Sequence, residues 1–257
     1  LDGETYTRVR ETAQRLSDVR PGDTGVAAKV HIATIRPWLD GLSVFKANDV
    51  DESRKALGQL MQRDPENAEV PYYIALADLK AAQEKRKSGL PDDDAAAEAL
   101  VKHAADVMDA AAAAQPKSAA MQLRAYQVYS VLDQGERVRA NAARMKKARE
   151  TGVAPPLATA ADTKTVNGAK ARKSLDAALE AARGLDASLP LFADIQIEAA
   201  EFARREHRPE DAEKIYQALL DKRPDDQNVR IHYAAMLTQA GNAAKREQAI
   251  KLLSAEV

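Results

Sequence analysis

The segment Pro37 to Ala47 (PWLDGLSVFKA) returns 34 residues later as PYYIALADLKA, from Pro71 to Ala81, and the same interval separates Pro156, Pro190 and Pro224. A fixed period of this length specifies one helix-turn-helix hairpin per repeat, because each hairpin covers its apolar face only by packing on its neighbours. The predicted fold class is therefore all-α: antiparallel helix hairpins arrayed as a solenoid, without one compact core.

Composition agrees with such an array. Hydrophobic residues are 45% of the chain but aromatics only 4%, so much of the apolar content is alanine, which suits helices packed closely on helices. Gly and Pro cost about 1 and 3 kcal/mol in helix interiors, and the 11 Gly and 11 Pro fall mainly between Ala-rich blocks. Charges nearly cancel, with 38 Lys and Arg against 39 Asp and Glu. General binding to nucleic acid or to an anionic membrane draws on excess positive charge, and this balance argues against both. No apolar run reaches the ~18 residues needed to insert across a bilayer. Cysteine is absent, which excludes disulfides and thiolate chemistry and leaves the compartment open between cytoplasm and cell envelope. The first residue, Leu1, implies a trimmed start, and Lys251-Leu252-Leu253 reads as the middle of an amphipathic helix that reaches Val257 without a stop signal.

Residues 1–33 are expected to form an N-terminal helical segment, with Tyr6, Val9, Ala13, Leu16 and Val19 on one face. Repeats are expected over 34–151. The second of them has an enlarged turn at 85–94, where Lys85-Arg86-Lys87 passes through Gly89 and Pro91 to Asp92-Asp93-Asp94, read as a solvated loop. A third hairpin pairs Ala119 to Leu132 with Arg137 to Glu150 across a turn at Asp133-Gln134-Gly135. Residues 152–168, with Pro155, Pro156 and several threonines, read as a degraded repeat arm or a linker. Repeats resume over 169–257, where Ala178, Leu185, Pro190, Ile197, Ala200 and Phe202 correspond after 34 residues to Ala212, Leu219, Pro224, Ile231, Ala234 and Met236.

The run Glu210 to Pro224, followed by Tyr233-Ala234 and Gly241-Asn242, resembles the tetratricopeptide repeat (TPR) family. The family's small residue and aromatic four apart in the second helix match Ala212 and Tyr216, and Pro224 matches its proline. Its small residue in the first helix falls on Gly41, Ala75, Ala200 and Ala234. A looser helical-hairpin solenoid of another kind is the alternative. The resemblance implies a right-handed superhelix whose first arms line a concave groove that holds peptides or partner proteins. The 34-residue interval then places Trp38, Tyr72, Leu123, Ile197 and Ile231 in one column, with Leu42, Leu76, Gln127, Glu201 and Ala235 beside it.

The candidate partner-binding residues are Trp38, Tyr72, Leu76, Arg124, Gln127, Glu201, Arg204, Arg205 and His232, with Asp194 and Glu198 nearby. Aromatic and Arg side chains are favoured anchors at interfaces. Against this, apolar stripes at helical spacing usually face a core, Ile197 and Ile231 above all, and pairs such as Glu201 with Arg205 fit an ordinary solvated face. The Lys, Asn and Arg clamp of chaperone-binding TPR proteins is missing from these positions, so a chaperone-tail receptor is not expected.

Chemistry is hard to find. His31, His103, His207 and His232 are scattered, which offers no metal-ligand spacing, and neither a phosphate-cradling glycine loop nor a nucleophile elbow is present. The expectation is a non-catalytic, cofactor-free binding scaffold of bacterial type whose partner is a protein or peptide. The alternatives are an assembly module that self-associates or bridges subunits through its ends, and a recruiting domain of a larger enzyme.

Overall fold

The computed structural model describes residues 68–87, 89–151, 165–239 and 242–254, with Lys55, Leu57, Gly58, Met61 and Gln62, all helical, ahead of them. Among these residues every regular element is an α-helix: α1 (Glu69–Lys87), α2 (Pro91–Ala114), α3 (Ala119–Thr151), α4 (Val166–Ala182), α5 (Pro190–Arg205), α6 (Pro209–Lys222), α7 (Gln227–Gln239) and α8 (Ala243–Ser254). The chain divides into two units, residues 1–115 with 127–171, and residues 116–126 with 172–257.

In the first unit α1 packs along α2. The meeting faces are mostly small: Ala75, Ala77 and Ala82 on α1 and Ala97, Ala104 and Met108 on α2 are buried. Leu57, Val70 and Ile74 form a tighter cluster that Tyr73 and Val107 flank. The solvated loop expected at 85–94 is not there. Lys85 to Lys87 complete α1, and Pro91 to Asp94 already form the first turn of α2. Basic residues at a helix C-terminus and acidic ones at an N-terminus both oppose the helix dipole favourably, the two runs pair through Lys85 and Asp93 at 3.2 Å, and Arg86 reaches Glu98, one turn further along α2, at 2.6 Å. Only a tight link remains, in which Gly89 takes φ +67°, a left-handed conformation that favours glycine.

A second correction concerns the third hairpin. Ala119 to Thr151 is one continuous helix of 33 residues, with no turn at Asp133-Gln134-Gly135. One Gly costs a helix about 1 kcal/mol, too little to break one that is otherwise supported. Asp133 accepts from Arg137 Nε at 3.0 Å, one turn on, and also takes the Thr165 hydroxyl. Thr165 in turn caps α4, accepting the Gly168 N–H at 2.9 Å, while Asn167 Nδ2 donates to Glu136 at 2.6 Å. A Cβ on Gly168 would lie 2.8 Å from Thr165 Oγ1 and 2.9 Å from Asp133 Oδ1, so any larger residue must displace these hydrogen-bonded side chains. Nearby, Asp109 accepts from both Tyr129 Oη and Lys170 Nζ at 2.6 Å, and the Lys170 ammonium lies 5.5 Å from the centre of the Tyr129 ring.

In the second unit α5 packs on α6 and α7 on α8, and α7 also touches α5 and α6. Ala200, Ala212, Tyr216, Leu219, Tyr233, Ala234 and Leu237 fill the space between them. The α5–α6 turn closes with His207 at φ 60°, and Arg208 N–H returns to Ala203 O at 2.9 Å. Asp226 Oδ1 caps α7, accepting the N–H groups of Asn228 and Val229 at 3.1 and 3.2 Å.

Candidate functional site

The first arms of the second unit are α5, α7 and the opening turns of α3. Along α5, Asp194, Glu198, Glu201 and Arg205 lie three or four residues apart and therefore share a face. Glu201 is the hub. Its Oε2 accepts from Arg204 Nε and Nη2 at 2.9 and 2.8 Å, and its Oε1 accepts from the Tyr216 hydroxyl at 2.9 Å. Arg204 also reaches α7, donating from Nη1 to Gln239 Oε1 at 3.1 Å.

Arg205 does not pair with Glu201, as their helical spacing suggested. Both Glu201 oxygens are occupied, and Arg205 instead donates to the Tyr126 hydroxyl, with its guanidinium 5.8 Å from the centre of that ring. Tyr126 is fully buried and meets Phe202 edge-on at 6.2 Å. Burial, reinforced by the Glu201 carboxylate, holds the Tyr216 hydroxyl protonated far above the ordinary tyrosine range. The Asp194 carboxyl is also raised. Desolvation is the main cause, opposed by the charges of Arg124, Arg223 and His232 and assisted by Asp226. Arg124, Asp194 and His232 thus share one electrostatic neighbourhood.

Of the nine expected site residues, Arg124, Glu201, Arg204, Arg205 and His232 lie in the second unit, where Glu201 and Arg204 bond directly. Tyr72, Leu76 and Gln127 are half-buried in the first unit, and Tyr72 meets Tyr73 edge-on at 5.2 Å. Trp38 lies outside the described residues. The apolar column is split: Leu123 and Ile197 are buried in the packing, but Ile231 is 57% exposed. Sequence reasoning expected Ile231 to be packed away, yet here it stands beside His232 on the open face of α7. Spacing also gave no sign of Tyr126 as a partner of Arg205, because the two are 79 residues apart.

No protein-family model matches the chain, and no curated protein matches it. Among solved structures, the crystal structure of a thermophilic TPR protein from Thermus thermophilus superposes with a TM-score of 0.52 at 19% identity, over 89% of this chain and 99% of that one. The fold is TPR-like. At this identity the likeness establishes the fold, and the burial pattern agrees with it: Ala75, Ala200 and Ala234, at the TPR small-residue position of the first arm, are buried, as are Ala212 and Tyr216 of the second. Among the described residues of this TPR-like chain, no cluster of His, Asp or Glu could hold a metal ion, and no helix is long and apolar enough to cross a membrane.

Proposed function

We propose that the open face of α5 and α7, with Arg124 at the start of α3, binds a segment of a partner protein. The observation that carries this reading is Ile231, an apolar side chain exposed on α7 one residue before His232, which with Arg124 and Arg223 acts on the Asp194 carboxyl of α5. An exposed apolar anchor on a face that also carries charged groups suits a protein-binding patch. The near-zero net charge supports a protein partner over a polyanion.

Random dodecapeptides displayed against the immobilised whole chain test this. Selected peptides should lose at least tenfold in affinity with Ile231→Asp or with Arg124→Glu, on chains whose helical circular dichroism is unchanged. Selection of no binder, or of binders indifferent to both substitutions, overturns the assignment.

A second reading, self-association, is favoured by α8, whose Ile250 and Leu253 are exposed on an outward face. Light scattering of the chain and of an Ile250→Asp, Leu253→Asp variant decides it. A dimer that the variant loses supports assembly, and a monomer in both removes this reading.

A further inference from the structure

The second half of α3 is exposed on nearly every side, with residues 138–143, 145–147, 150 and 151 all open to solvent. Val131, Val138 and Met145 recur at seven-residue intervals and are 47, 68 and 50% exposed. Gly135 and Ala142 fall between them at the complementary spacing, so together they trace a narrow heptad seam along one side of the helix. Beyond Asp133 and Glu136, along the later part of the seam, the charge is one-sided. From Arg137 to Arg149 the sequence has six Lys and Arg and no Asp or Glu. Arg137 is neutralised by Asp133, and Arg139 lies 3.8 Å from Glu98. Lys146, Lys147 and Arg149 carry no ion pair among the described residues.

We propose that this seam is a second docking surface, distinct from the face of α5 and α7, and that its occupant is an acidic amphipathic helix of a partner protein. The seam is one side chain wide and contains no aromatic residue or leucine, which suits interdigitation with another helix better than insertion into a lipid interface. An apolar seam has no counterpart in a phosphate backbone, whose affinity comes from charge. A second copy of this helix would bring like-charged segments together, whereas glutamates flanking a partner's apolar stripe would meet Arg139 and Lys146 on one edge and Arg149 at the end.

The probe is a fluorescein-labelled 21-residue peptide with Leu at the a and d positions of three heptads and Glu at e and g, titrated with the whole chain by fluorescence anisotropy. A control peptide replaces every Glu with Lys. The expected result is binding of the acidic peptide at least tenfold tighter than the control. Val138→Asp with Met145→Asp should weaken it at least tenfold, as should Lys146→Glu with Arg149→Glu. All four positions are on the exposed helix, so folding should be retained, and circular dichroism verifies it. Equal binding of the two peptides, or indifference to both double variants, overturns the proposal. So does tighter, seam-dependent binding to phosphatidylserine–phosphatidylcholine vesicles or duplex DNA, and so does seam-dependent dimerisation of the free chain in sedimentation.

Discussion

The rings of Tyr216 and Tyr233 stack 5.4 Å apart with 13° between their planes, joining the second arm of one repeat to the first arm of the next. Both are buried, so truncation of either to Ala should cost about 3 to 5 kcal/mol. Tyr216→Phe keeps the stack and loses only the hydroxyl's bond to Glu201, for about 1 kcal/mol. Urea denaturation followed by circular dichroism reads both. An equally large loss from Tyr216→Phe would show that the ring contact contributes little.

The two helical glycines Gly135 and Gly168 should respond in opposite directions. A Cβ at Gly135 makes only an ordinary contact, 3.6 Å from Arg139, so Gly135→Ala should stabilise α3 by about 0.5 to 1 kcal/mol. At Gly168 the new methyl would push Thr165 and Asp133 apart, and overpacking of about 1 to 3 kcal/mol should outweigh the propensity gain. Thermal melts of the two variants compare them. A destabilising Gly135→Ala would contradict the unbroken helix.

Ala200 and Ala234 let neighbouring helices approach through a single methyl group each. Either Ala→Leu change should therefore lower stability by about 1 to 3 kcal/mol, whereas the same change at exposed Ala113 on α2 should be nearly neutral. Denaturant midpoints of the three variants make the comparison.

Acid should unfold the chain through Asp109 and Asp226. Burial raises both carboxyls, but bonds from Lys170 and Tyr129 to Asp109, and from Arg223 and the α7 N–H groups to Asp226, outweigh it and hold both below the ordinary 3.8. A carboxyl depressed on folding binds fewer protons in the native state, so its stabilisation is complete above the unfolded value and is lost as pH falls through the native one. Urea midpoints should hold steady from pH 7 to about 5 and drop below about 4. Asp226→Asn should flatten part of that drop. Asp194 has the opposite sign: its raised carboxyl makes ionisation a cost to folding as pH rises, so Asp194→Asn should leave the chain no less stable at pH 7. A loss of stability in that variant would show that the charge is needed for folding.

The TPR-like fold was legible in the 34-residue interval, although Pro37 to Ala47 lie outside the described residues, and the small positions Ala75, Ala200, Ala212 and Ala234 were readable because helix packing leaves space there for little else. Local rules failed where distant groups intervene. Asp133-Gln134-Gly135 has turn composition, but Thr165 and Arg137 hold Asp133 within a helix, and Thr165 is 32 residues away. The charge runs at Lys85 and Asp92 had the look of a loop because their value lies in flanking one tight turn, at the end of α1 and the start of α2. Ile231 repeats Ile197 in the sequence without repeating its surroundings, since Ile197 is covered on α5 and its counterpart on α7 is open. Periodicity transmits position and leaves occupancy to the neighbours.

Arg223 donates to the carbonyls of Ala187 at 2.8 Å and Leu189 at 3.3 Å, ahead of α5, while its Nε is held by Asp226 at 2.7 Å, ahead of α7. The α4–α5 and α6–α7 turns are thereby tied by one guanidinium, which on the α5 side recognises only main-chain oxygen. The residues supplying those oxygens are free to drift over evolutionary time without loosening the knot. The arginine has no such freedom, since its replacement would release both turns together.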